Sequence, residues 1–173
     1  MTTVVIDPGH GGQDPGAVAF GLKEKDLNLR ISLELMHRLR DEKIPALLTR
    51  EDDSFLSLSQ RCEAADNSKA ARFLSVHCNG SENQSAAGIE VFHAPDSEAG
   101  IKFAHSLHQE LSQLGRVDRG VKPAGYYVLK QTRMPACLVE CGFITNREES
   151  VWMKEHIVEI ARALAQGIIN SVS

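Results

Sequence analysis

No stretch of this sequence is apolar over the length a membrane-spanning helix requires, so helical insertion into a bilayer is excluded. Long basic tracts are missing as well, and the formal charge is −4, which removes the footprint of a nucleic-acid binder. The four cysteines, Cys62, Cys78, Cys137 and Cys141, form no CxxC pair, which argues against a thiolate zinc site or a thioredoxin-like motif. They read as buried free thiols of a reduced protein, and Cys137 and Cys141 stand too far apart on one strand to bridge each other. HExxH is absent, so the zinc-protease helix is absent with it. Internal repeats, low-complexity tracts and linkers are lacking too. The 173 residues are therefore expected to form one domain, spanning 1–173, with a real core. Nor does a leader precede the first apolar run. Work outside a cytoplasm would imply delivery through a membrane pore or a leader absent from this sequence.

What is present is an alternation of strand and helix patterns. TTVVI (2–6) is continuously apolar and β-branched, the signature of a fully buried strand. DLNLRISLELMHRLR (26–40) repeats Leu, Ile and Met at helical spacing, with Pro45 soon after. PALLTR (45–50) predicts a second strand, and Ser57 with Gln60 makes a capping box for a helix running to about residue 71. RFLSVH (72–77) and GIEVFHA (88–94) predict two more strands, followed by a helix over 97–114. YYVLKQ (126–131) and PACLVECGF (135–143) read as the last strands. Thr145 with Glu148 makes a second capping box, opening one long helix whose Ile157, Ile160, Leu164 and Ile168 share a stripe. The expected fold class is α/β: a single twisted, mostly parallel sheet of about six strands with helices on both faces.

In open α/β sheets, ligands gather outside the carboxyl ends of the strands. The first strand here ends in DPGH with His10, the third in VHCN with His77 and Asn79, and the last in VECG with Glu140. Glu24, in GLKEKDLN just ahead of the first helix, stands one loop away from His10. Two histidines and one glutamate make a three-ligand zinc set with a fourth position open for water, and a second glutamate is then available as general base. Taken singly, each histidine also fits an ordinary hydrogen-bonded structural role, and spacing alone leaves both readings open. Glu140 is harder to assign a bland role, because an unpaired carboxylate in an apolar strand needs a cation or a task. The glycines around His10 are expected to clear room for substrate. A phosphate loop is disfavoured: GHGGQD carries only the opening of GxGxxG, Asp14 stands where the third glycine belongs, and no GK[ST] follows. Arg50 and Arg61 read as structural ion pairs. His37, His105, His108 and His156 fall on helices as surface or satisfied residues, and His93 receives no role.

Together these segments resemble the zinc-dependent N-acetylmuramoyl-L-alanine amidases of the amidase-3 type, found in autolysins and phage endolysins. The resemblance runs through VVIDPGHGGQDPGA, GLKEKDLNL, LLTREDDSFLSLSQR, FLSVHCNG, RGVKPAGYYVL and MPACLVECGFITNREE, six blocks in family order. It implies one Zn2+ held by His10, Glu24 and His77, with Glu140 as the catalytic carboxylate. That division of labour between the two glutamates comes from the family and not from spacing. The implied reaction is hydrolysis of the amide between the lactyl group of N-acetylmuramic acid and the L-alanine of the peptidoglycan stem peptide, on the bacterial cell wall. Asn79 is a candidate for orienting substrate. Two alternatives stand beside this reading: a zinc peptidase acting on the stem peptide, and a non-catalytic wall-binding module. The first would need a recognition group for a terminal carboxylate. The second would typically lack one of the four named residues, and all four are present. Peptidoglycan is the expected partner, without nucleic acid or membrane insertion, and a monomer is the expected state.

Overall fold

The structure, a computed structural model, describes residues 3–172. Thr2, where the first strand is expected to begin, lies outside the described residues, as do the two ends of the expected 1–173 domain. In chain order the elements are β1 (Val4–Pro8), a short ribbon of β2 (Val18–Ala19) and β3 (Leu22–Lys23), α1 (Glu24–Asp41), β4 (Ala46–Leu48), α2 (Leu58–Ser68) and β5 (Arg72–Asn79). There follow β6 (Ile89–His93), α3 (Glu98–Leu111) with a 3-10 turn, β7 (Asp118–Pro123), α4 (Tyr127–Gln131), β8 (Ala136–Phe143), α5 (Arg147–Glu155) and α6 (Ile157–Val172). Six strands make one sheet in the order β4-β1-β5-β8-β6-β7, parallel throughout except where β6 meets β8. Among the described residues, no helix is long and apolar enough to cross a membrane.

Alternation along the strands sorts side chains onto two faces. Val4, Ile6, Leu74, Val76, Cys137 and Val139 pack against α1, α3 and α6 in the larger core, through Ile31, Leu35, Leu107, Leu164 and Ile168 among others. Val5, Phe73, Ala136 and Leu138 point the other way, onto Cys62 and Ala65 of α2 and Val128 and Leu129 of α4. Followed toward the carboxyl ends, this second face changes character. Val5 gives way to Asp7, Phe73 to Ser75 and His77, and Leu138 to Glu140. The helices α2 and α4 are short and cover the apolar half. The polar half stays open, and the site lies there.

The capping box is present at α2: Gln60 N–H donates to Ser57 Oγ, and Gln60 Oε1 accepts from Ser57 N–H. Three expectations are corrected. YYVLKQ forms helix α4 and no strand. Its adjacent Val128 and Leu129 are both buried in the same small cluster, which a strand would prevent by sending them to opposite faces. The sixth strand of the sheet is instead β7, whose DRGVKP carries charge, glycine and proline suited to an edge. The expected long C-terminal helix is two helices, broken at His156 (φ −115°, ψ 31°), whose ring stacks on Trp152. Asn146, not Thr145, caps α5 by accepting from the N–H groups of Glu148 and Glu149. All four cysteines are free and buried.

Leu164, fully buried on α6, becomes a cavity on truncation, so Leu164→Ala is expected to cost about 2–5 kcal/mol. Val158→Ala on the exposed side of the same helix should stay within about 0.5 kcal/mol in the same urea titration.

Candidate metal and catalytic centre

His10 sits in a backbone conformation that non-glycine residues seldom adopt, with φ of 61°. Such a conformation persists only where its surroundings hold it. Here a two-residue bridge closes the loop, Gly11 N–H donating to Asp14 O and Asp14 N–H to Gly11 O. Two buried arginines grip it from below. Arg61 donates to Pro8 O and His10 O and pairs with Asp7 at 2.8 Å. Asp7 also accepts from Thr49 Oγ1 at 2.6 Å and Ser75 Oγ at 2.7 Å, so its buried charge is fully partnered. Arg50, expected to form an ion pair like Arg61, instead donates to the carbonyls of Pro8, Gly9, Lys25 and Asp52.

The glycines make room for other residues of the site. A Cβ on Gly9 would stand 2.3 Å from the His77 ring, and one on Gly11 would stand 2.1 Å from Ser54 O. His77 therefore packs flat on the strand end that delivers His10, and the 50s loop closes over the turn.

Glu24 is the first residue of α1, not a residue ahead of it, and its carboxylate is buried between the two imidazoles. His10 Nε2 lies 3.1 Å from Glu24 Oε2, and His77 Nδ1 lies 2.9 Å from Oε1. Ligand atoms from all three residues fall within 4.8 Å of one another. Nitrogens and oxygens around one tetrahedral zinc stand about 3.3 Å apart, so this donor set fits a zinc-sized ion. Each ligand is already aimed. Asp14 accepts from His10 Nδ1 at 2.8 Å, the carboxylate–histidine arrangement that fixes a ring with its other nitrogen free for metal. Ala17 N–H and Cys78 N–H donate to Glu24 at 2.9 and 3.1 Å. Burial lowers the His10 pKa, but the hydrogen bond and charge of Glu24, then those of Asp14, outweigh it and raise it above 6.5. Glu24 experiences the converse. Burial opposes its charge, while hydrogen bonds from His10 and His77 hold it far below the usual carboxylate range.

Glu140 stands in register with His77 on the neighbouring strand, yet its surroundings are opposite in kind. Its Oε2 is buried with no hydrogen-bond partner among the described residues. Burial first, then the nearby charges of Glu24 and Glu90, push its pKa well above 4.5. One carboxylate is thus kept ionised and the other kept ready to hold a proton.

A cleft of about 490 Å³ opens over this centre. His10, His77, Glu140, Asp7 and Ser75 line its polar part, and Phe55, Leu58, Tyr126, Tyr127 and Val128 its apolar wall. Asn79 is not among the lining residues. Its amide donates to Glu90 Oε1 at 2.7 Å, and its Oδ1 accepts from Gly80 N–H. Asp7, Asp14 and Ser75 escape a motif-by-motif reading, although Asp7 and Asp14 flank His10 in the same glycine-rich block; Arg61 forms the structural ion pair expected of it. His108 pairs with Asp118, and buried His93 lies with Nδ1 2.8 Å from Ala94 O.

Residues 4–170 match the family described as N-acetylmuramoyl-L-alanine amidase. The N-acetylmuramoyl-L-alanine amidase LytC of Bacillus subtilis is 36% identical over 173 residues, covering 97% of this chain but 35% of LytC. The chain thus spans about a third of that relative's length. The sporulation-specific N-acetylmuramoyl-L-alanine amidase of the same species is 39% identical over 174 residues, covering 97% of this chain and 67% of that protein. Among solved structures, the catalytic domain of CwlV, an amidase of Bacillus (Paenibacillus) polymyxa var. colistinus, superposes with a TM-score of 0.95. Its identity is 35%, over 99% of this chain and 98% of that one.

The clamp beneath His10 makes a stability prediction. Arg61→Met leaves Asp7 as a buried carboxylate without its cation and should cost about 3–5 kcal/mol in denaturant titration. Adding Asp7→Asn should return part of that loss; a single-variant cost under about 1 kcal/mol would contradict the clamp.

Proposed function

Because the chain belongs to the N-acetylmuramoyl-L-alanine amidase family, we propose that it hydrolyses the amide joining the lactyl group of N-acetylmuramic acid to the L-alanine of the stem peptide. Residues 4–170 act as one catalytic unit on the bacterial cell wall, with peptidoglycan as substrate. The observation that carries this reading is the pairing of a compact His10–Glu24–His77 donor set with a buried, unpartnered Glu140 oxygen on the floor of an open cleft.

His10, Glu24 and His77 would hold Zn2+, which when bound supplies Lewis acidity that acidifies a water and draws charge from a carbonyl oxygen. Asp14 keeps the His10 ring aligned, and the Ala17 and Cys78 amides keep Glu24 aligned. Glu140 accepts a proton from the attacking water as the carbonyl carbon becomes tetrahedral. It then delivers that proton to the alanine nitrogen, which cannot leave as an amide anion. A carboxyl group with a raised pKa suits both halves of this shuttle, since it can hold the proton between the two transfers. Tyr126 and Tyr127 stand on the apolar wall beside this centre.

Digestion of purified peptidoglycan is expected to release new N-terminal L-alanine; new D-amino-acid termini in its place would point to a stem-peptide peptidase. Glu140→Gln should retain zinc while turnover falls about 10²–10⁴-fold, and a near-normal rate in that variant would overturn the shuttle assignment.

Zinc binding should also weaken in acid. A proton on His10 must leave before the ring can ligate, and its raised pKa strengthens that competition. Competition against a chelator should show affinity falling about tenfold per pH unit, per proton displaced, below that pKa. Affinity independent of pH between 8 and 6 would exclude His10 as a ligand.

A further inference from the structure

The sheet face that carries His77 and Glu140 does not end at the catalytic carboxylate. Glu90, on β6, is the register partner of Glu140 on the far side from His77. Beyond it lies the edge strand β7, with Lys122 in register with Phe92. Phe92 meets the ring of Tyr126 edge-on, at 5.3 Å between centroids, so this strip adjoins the aromatic wall of the cleft.

Glu90 is buried and saturated. Asn79 Nδ2 donates to its Oε1 at 2.7 Å, while Lys122 Nζ at 2.5 Å and Arg119 Nε at 3.2 Å both meet its Oε2. Two cations thus converge on one carboxylate, leaving a surplus positive charge on a chain whose formal charge is −4. The surplus faces outward, since the Lys122 and Arg119 side chains are 40% and 36% exposed. An ammonium has three donors, and Glu90 takes one of those on Lys122. Arg119 is braced by the Phe143 ring, 5.0 Å from its guanidinium carbon, and by Ala87 O. Both cations are positioned from the buried side and have donor capacity left on the open side.

We propose that Lys122 and Arg119 bind a free carboxylate of the stem peptide, on the leaving-amine side of the scissile bond, with Glu90 and Asn79 as the residues that position them. This rests on the amidase reading, and chemistry then decides the side. The carboxyl of the muramic lactyl group is consumed in the scissile amide, so a free carboxylate close to the reacting bond belongs to the peptide. Strands lie about 4.8 Å apart, which places β7 about 10 Å from β8. That is the reach of two or three extended residues beyond the nitrogen that Glu140 protonates. The apolar arm of the cleft is left for the sugar.

The test uses two pairs of synthetic substrates with the zinc-loaded protein. One pair is muramoyl-L-alanyl-D-isoglutamate and its isoglutamine counterpart. The other is a muramoyl tripeptide with its third-residue carboxylate free or amidated. In at least one pair the free carboxylate should raise kcat/KM roughly five- to tenfold, through KM. Lys122→Gln, alone and with Arg119→Gln, should bring that ratio near one, while Lys122→Arg keeps most of it. A ratio near one in both pairs for the unaltered protein, or a ratio that survives the double substitution, overturns the inference and leaves the amidase reading standing. Cleavage of none of the four substrates by the unaltered protein overturns the amidase reading, and the inference with it. Should the double variant fail to fold, Lys122→Gln alone decides, because its side chain is half in solvent and holds no backbone in place.

Discussion

One buried carboxylate organises the centre. Glu24 cannot be ionised in the interior without donors, and it draws them from three separate parts of the chain. The Ala17 amide precedes the small ribbon, the Cys78 amide lies near the end of β5, and Asn28 is one turn along α1. The two imidazoles complete the shell. Satisfying this one group therefore fixes the glycine-rich loop, the start of α1 and the end of β5 relative to one another. Donor atoms that could share an ion are held together by the cost of leaving a carboxylate unpaired.

Beneath that arrangement lies a second one with a purely mechanical task. Arg61, paired with Asp7, and Arg50 bind the backbone of the loop through its carbonyls, and this is what allows His10 to remain at a positive φ. The contrast with Glu140 is instructive. Asp7 and Glu140 occupy the same face, and both are carboxylates near strand ends. Asp7 is surrounded by three donors. Glu140 has a bare oxygen and two acidic neighbours, an environment that favours the protonated form. The two carboxylates differ in which partners are withheld.

Much of this was legible in the chain itself. The strands ending in DPGH, VHCN and VECG, and the helix repeat after Glu24, depend on local patterns of alternation and spacing. The six-stranded sheet has them where those patterns place them. The errors have separate causes. YYVLKQ is a short apolar run, and six residues cannot distinguish a period of 2 from one of 3.6. DRGVKP lacks an apolar pattern because an edge strand needs none. The break at His156 is set by packing, with nothing in the local sequence resembling a helix stop. That the Asn79 amide donates to Glu90 was likewise not readable from the strand end alone.

By itself, then, the sequence determined which residue types stand at the carboxyl ends of the strands, because alternation and turn chemistry act over a few neighbouring positions. It could not determine how those ends meet. That His77 lies against Gly9, that Arg61 reaches Asp7 across 54 positions of chain, and that Glu90 gathers Lys122 and Arg119 beside Glu140 were decided only when strand order and register were set. Those contacts join segments distant in sequence, and the free energy that selects them comes from burying the whole sheet between its helices rather than from any local run of residues.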